Sequence, residues 1–343
     1  MHPPLFKIRD NGYFGFINAE GEVIIEPQFL DVDHFRNGYT SVQLNGQRAL
    51  LDHLGRLYVR RLYRSIGIFQ EDMARVQVVK TMGFIDKKGK EVISAVFDEV
   101  SDFSQGLAAA KLEGSAGFID QKGAFIAPPI YSGTGNYSDG LAPAALNGIW
   151  GFVDKTGKFV IEPSWDAASP FQGNVAVIVR DGRWGLVNRE GKECITPQFE
   201  FVKGHVQGEF FDGMALSYRD GKFGFVGQNG EIAIEPMFDL AGDFGENLAL
   251  VEINGAFGYV DKTGKLIIMP KFEDAGVFSE GLAQIRSNGK WGYIDTSGQF
   301  VIPPVYEKAS PFSNGLALVV QHSKWLYINK NQQVIWEEKK LIS

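Results

Sequence analysis

Five histidines and a single cysteine are the residues in this chain best suited to metal or nucleophilic chemistry. His2, His34, His53, His205 and His322 are scattered; no pair has metal-ligand spacing, and none lies near Cys194 in sequence. Cys194 sits in the strand-like run Lys-Glu-Cys-Ile-Thr-Pro, so a buried, inert thiol is the expectation. Asp52, Asp86, Asp120, Asp154, Asp261 and Asp295 recur at one position and could form a ring of carboxylates. Each, however, opens a glycine-containing turn, where backbone amides engage the carboxylate. The recurring glycines alternate with strands and open no helix, so they form no phosphate loop. Trp150, Trp184, Trp291 and Trp325 could stack on sugars, but an aromatic returning at every period is first a core filler. No catalytic residue, cofactor or metal site is expected.

Two stretches break the pattern, and specificity belongs where folding does not dictate the residue. One holds Arg56, Arg60, Arg61 and Arg64, with Arg60-Arg61 standing where other repeats have Glu26-Pro27 or Glu162-Pro163. The other is the insertion Glu200–Gly208, which contains Lys203 and His205. Arg56, Arg60, Arg61, Arg64, Glu200, Lys203 and His205 are therefore the candidate partner-binding residues. The plainer readings are a decayed repeat with solvated arginines and a tolerated surface insertion.

The elements that must position these residues are written in the composition. The 343 residues are 44% hydrophobic and 13% aromatic, with 41 glycines, a balance that favours short strands and tight turns over helices. The net charge of −7 disfavours nucleic acid and membrane surfaces and suits a basic partner. One cysteine excludes an intrachain disulfide framework. With no export signal and no apolar run of about 18 residues, a cytoplasmic chain is expected.

An aromatic–Gly pair or its equivalent marks each repeat: Phe14-Gly15, Arg48-Ala49, Met82-Gly83, Ala116-Gly117, Trp150-Gly151, Trp184-Gly185, Phe223-Gly224, Phe257-Gly258, Trp291-Gly292 and Trp325-Leu326. Every step is 34 residues except one of 39, from Trp184 to Phe223. Ten repeats result, with approximate bounds 5–46, 47–80, 81–114, 115–148, 149–182, 183–221, 222–255, 256–289, 290–323 and 324–343, read as one domain. In the ninth, GLAQIR is a strand, Asn288-Gly289 a type I′ turn, WGYID a second strand, Asp295–Gly298 a second turn, and QFVIPP a third strand ended by proline. Each repeat is thus predicted to be a three-stranded antiparallel meander with an extended link. Both faces are largely apolar, so neighbouring sheets must cover one another.

Trp150-Gly-Phe-Val-Asp154, Trp184-Gly-Leu-Val-Asn188 and Trp291-Gly-Tyr-Ile-Asp295, each followed by a glycine turn and a VI-x-P-like strand, resemble the bacterial WG-repeat (KWG-repeat) proteins. The resemblance spans the chain and implies a β-rich interaction scaffold, with some members beside toxin systems. The second repeat and the last depart from the pattern. Ten unsplit meanders and a charged end (Glu337–Lys340) favour an open superhelical array; a closed β-propeller-like ring is the alternative. The expected function is non-enzymatic binding of a protein, in its specific form a cytoplasmic immunity protein neutralising a toxin with a basic surface. A lectin-like binder of glycan or cell-wall polymer is the alternative.

Overall fold

The computed structural model describes residues 3–203 and 208–339. All regular structure among them is β: 37 strands in ten antiparallel sheets. The chain divides into two compact units, Met1–Asn18 with Glu22–Arg180, and Ala19–Gly21 with Asp181–Ser343.

The ninth repeat shows why these residues form these elements. Strands Leu282–Ser287 and Lys290–Asp295 pair from Leu282↔Asp295 to Ser287↔Lys290. Asn288 and Gly289 close them at φ 50° and 72°, the left-handed values a type I′ turn needs. Gly298 donates its N–H to the carbonyl of Asp295 across 2.9 Å and closes the second turn. The extended link carries a short fourth strand, as the propeller-like alternative requires: Asp274–Ala275 pairs with Arg286 and Ile285. Seven of the ten sheets have such a strand; in the second sheet a single bridge, Val32↔Val42, stands at its place.

The third strand does not stop at its prolines. It runs from Phe300 to Tyr306, with partners Tyr293↔Ile302 and then Trp291↔Tyr306. The two prolines lie in the bulge between these pairs, where a missing N–H costs no ladder bond. This bulge explains the glycine of the aromatic–Gly pair. A Cβ on Gly292 would stand 2.6 Å from the carbonyl oxygen of Ile302 and 2.7 Å from the nitrogen of Pro304. The close approach is thus to a strand of the same sheet. Where the glycine is absent the bulge changes. Around Ala49 the partner of Leu50 slips by one residue to Tyr58, and Leu51 pairs regularly with Leu57. At Leu326 the pairs Tyr327↔Trp336 and Leu326↔Glu337 follow without interruption.

The core is carried by an aromatic pair that recurs nineteen residues apart. In the first unit Phe16–Phe35, Phe84–Phe103, Phe118–Tyr137 and Phe152–Phe171 each have centroids 4.7 Å apart. In the second, Phe225–Phe244, Tyr259–Phe278 and Tyr293–Phe312 repeat the contact at 4.8 Å. The rings are tilted or edge-on, the arrangement their quadrupoles favour. One member comes from the second strand and the other from the link, so the pair holds each link down.

Consecutive repeats are also tied by their turns. Glu71 accepts from the amide of Gly106, Glu246 from Gly281 and Glu280 from Gly315, each 35 residues on. In the second unit a Cβ on Gly264 would meet the Ile234 side chain at 3.2 Å, and one on Gly298 the Ile268 side chain at 3.1 Å. Gly21, from the first repeat, stands in the same relation to the last, with its Cβ position 2.4 Å from the carbonyl oxygen of Ile335. The turn Ala19–Gly21 and the tenth repeat are therefore neighbours within this unit. An open array holds them apart, so the open reading is corrected; the contact fits the closed, propeller-like alternative. Unsplit meanders misled because this contact is made by a turn and requires no strand shared between the ends.

Candidate binding site

With one framework repeated ten times, a site shows as a framework position whose residue changes. The position before the apolar residue that ends GLAxI is such a place. It holds Lys7, Ser41, Arg75, Ala109, Pro143 and Val177 in the first unit, and Leu216, Leu250, Gln284 and Leu318 in the second. Its carbonyl accepts from a link residue alongside it: Asp33 N–H to Ser41 at 3.0 Å, Gly67 to Arg75 at 2.8 Å, Ser101 to Ala109 at 2.9 Å. The strand and the link therefore run side by side here, and where the link residue is not glycine, as at Asp33 and Ser101, two variable side chains are held next to each other.

In the first unit this brings together Asp33, His34, Arg36, Ser41, Arg75 and Asp102, around a cleft of about 300 Å³. Arg75 Nε lies 3.2 Å from Asp102 Oδ1. Burial pushes the Asp102 carboxyl up, against the pull of the Arg75 charge. Ser41 is buried and donates its hydroxyl to the Asp33 carboxylate, and Thr40 Oγ1 donates to the Asp33 carbonyl at 2.9 Å. His34 and Arg36 are exposed. An activated hydroxyl would donate to an imidazole; Ser41 donates to a carboxylate instead. The arrangement presents fixed charges of both signs, which is what recognition of a polar surface needs.

The arginines singled out from sequence do not converge here. Arg56 Nε is 2.7 Å from Asp52 Oδ2, and Asp52 also accepts from the amides of Leu54 and Arg56 and from the Tyr58 hydroxyl. Burial, the largest single influence, pushes the Asp52 carboxyl up; these bonds overcome it and leave it below its ordinary value. Arg61 reaches Glu91 of the next sheet at 3.2 Å. Arg64 donates to the Val79 carbonyl at 3.4 Å, and Arg60 is exposed on the strand Leu57–Tyr63. Three of the four guanidiniums thus brace turns and sheets. In the insertion, the Glu200 amide donates to the Tyr218 carbonyl at 2.9 Å, and Lys203 is exposed. His205 and the neighbouring residues 204 to 207 lie outside the described residues.

The recurring aspartates sit where the turn reading put them. Asp154 Oδ1 accepts from the amides of Thr156 and Lys158 and from the Thr156 hydroxyl, and Asp261 and Asp295 repeat the pattern. These bonds, the hydroxyl first, hold all three carboxylates below their ordinary values. The tryptophans divide: Trp184 is fully buried, while Trp150, Trp291 and Trp325 are half-buried. The uniform core reading holds only for the first, and the aromatic two residues further on fills the core in its place. Cys194, expected to be buried, is exposed, because its place in the third strand faces outward, as Val160 and Val301 do. Among the described residues no group of three His, Cys, Asp or Glu could hold a metal ion, and no helix is long and apolar enough to cross a membrane.

The Arg75 cleft escaped the sequence reading, although it left a signal. MARV and YTSV put Arg75 and Ser41 where eight other repeats have Lys7, apolar residues, proline or glutamine.

The chain belongs to the family described as WG containing repeat, which it matches over residues 14–47, 82–115, 117–148, 150–184, 184–222, 223–255, 257–291 and 291–325. The second repeat falls outside these matches. No curated protein matches the chain. Among solved structures, it is similar to a crystal structure of a eukaryotic initiation factor, with TM-score 0.54, 11% identity, and 98% of this chain and 96% of that one covered. It is also similar to apo AztD from Citrobacter koseri, with TM-score 0.36, 12% identity, and 98% and 94% covered. At these identities the first likeness bears on fold alone.

Proposed function

We propose that the chain is a non-enzymatic scaffold that binds a protein partner through side chains at its variable positions. The observation that carries this is the Arg75 cleft. Asp33, His34, Ser41, Arg75 and Asp102 occupy framework positions, so the sheets hold them rigidly, yet folding does not demand their identities. Fixed charges on a rigid repeated frame give specificity without ordering cost. The net charge of −7 speeds encounter with a basic partner. Neutralisation of a basic toxin, as an immunity protein of the cytoplasm would do, is the specific form we propose for this binding.

Variants that change the cleft without touching the aromatic pairs test the reading. R75A and D33A should abolish retention of a partner from a lysate of the source cell, with melting close to that of the parent chain. Retention of the same proteins by parent and double variant would contradict the proposal. A second reading, binding of a glycan, draws on the half-buried faces of Trp150, Trp291 and Trp325. A glycan array on the purified chain separates the two.

A further inference from the structure

Nine of the ten repeats carry a large side chain at the first position of the aromatic–Gly pair; the fourth carries Ala116. In the fifth repeat that side chain is Trp150, and its indole lies on its own sheet's short link strand. A Cβ on Gly133 would stand 2.9 Å from Trp150 Cζ2, so the ring packs closely on the link at this glycine. Trp325 lines a groove together with its own link residues Lys308–Ser310. In the fourth repeat a methyl group cannot reach across, and the link residues Glu99–Ser101 line a cavity of about 300 Å³. Ala109, Ala110 and Ala116 also line it, with Arg75 and Lys111, and the Trp150 ring contributes from the fifth repeat.

We propose that this cavity binds a planar aromatic group about the size of an indole, seated where the repeat's own aromatic is missing. Trp150 on Gly133 shows what occupies this place when the chain supplies the ring itself. Trp150 offers the guest an aromatic neighbour, and aromatic pairs add to area burial when offset or edge-on. The volume lies at the small end of ligand pockets, so a single ring system fits and a larger cofactor does not. A ring of this kind could arrive as a small molecule or as a tryptophan side chain of a protein. The site does not depend on the Arg75 cleft reading, although Arg75 lines both cavities.

The test uses the full chain, with free indole and N-acetyl-tryptophanamide as probes in calorimetric titrations. Saturable indole binding to the parent chain is expected, with affinity reduced more than about tenfold in A116W, whose side chain restores the repeat aromatic. Glu99 stands where the fifth repeat has Gly133, so E99G/A116W is measured beside A116W and should melt no lower than the parent; A116F and A116M provide the same comparison with a smaller side chain. Binding of the amide as well as indole assigns the source to a protein side chain, and binding of indole alone assigns it to a small molecule. No saturable indole binding to the parent, or equal binding by A116F, overturns the proposal.

Discussion

At the scale of single residues, two types of constraint shape the repeat. Gly292 is required by contact, since a Cβ there would press on backbone at 2.6 Å and its φ is not in the left-handed region. G292A should therefore cost about 1–3 kcal/mol, the usual range for overpacking. The converse change, A49G, meets a strand already paired differently and should cost only about 0.5–1 kcal/mol for the added chain freedom. Urea melts of the two variants check the asymmetry. The turn aspartates are required by hydrogen bonding. Asp154, Asp261 and Asp295 have folded pKa values below their unfolded ones, so their contribution is complete above the unfolded value of about 3.9. It is lost as pH falls through the depressed folded values. Melting temperature should fall below about pH 4, and T156A, T263A and S297A together should flatten that fall, as thermal melts across the acid range would show.

At the scale of the element, much of the repeat was legible and a definite part was not. Asn288-Gly289 and Asp295–Gly298 announce their turns because each turn is made by adjacent residues. The fourth strand was legible only as part of the closed alternative, because Asp274–Ala275 has only two residues, and its partners Arg286 and Ile285 lie beyond the intervening link. The core aromatic was misassigned for a similar reason. The repeating Trp–Gly is conspicuous, whereas the pairing of Tyr293 with Phe312 requires knowing that the link folds back. Loss of the pair should cost more than loss of a half-buried tryptophan. F312A and W184A, both removing buried rings, should each destabilise by about 3–5 kcal/mol, and W291A by clearly less. Denaturant midpoints for the three variants rank these contributions. The Arg75 cleft was hidden because its side chains come from successive repeats, and only the register of strand and link brings them together.

At the scale of the whole molecule, two properties follow from repetition: how the ends relate, and where specificity resides. Gly21 and Gly12 both have left-handed backbones, at φ 86° and 81°. Only Gly21 stands against another repeat, at Ile335; nothing lies within 4 Å of the Cβ position of Gly12. G21A should therefore lower the melting temperature more than G12A, the backbone strain being common to both. Equal shifts would mean that the first and last repeats do not support each other. Specificity, in turn, is carried by few positions. A frame in which each glutamate caps the next repeat's turn leaves the surface largely fixed, so partner choice falls to residues such as Arg75, Asp33 and Asp102. The most direct test is quantitative retention from a lysate of the source cell, comparing the parent chain, R75A/D33A, and R60E/R61E as a surface control away from the cleft. The expected result is a protein retained by the parent and by R60E/R61E and lost with R75A/D33A, the cleft variant melting like the parent. Retention unaffected by R75A/D33A, or lost only with R60E/R61E, would contradict recognition through the cleft.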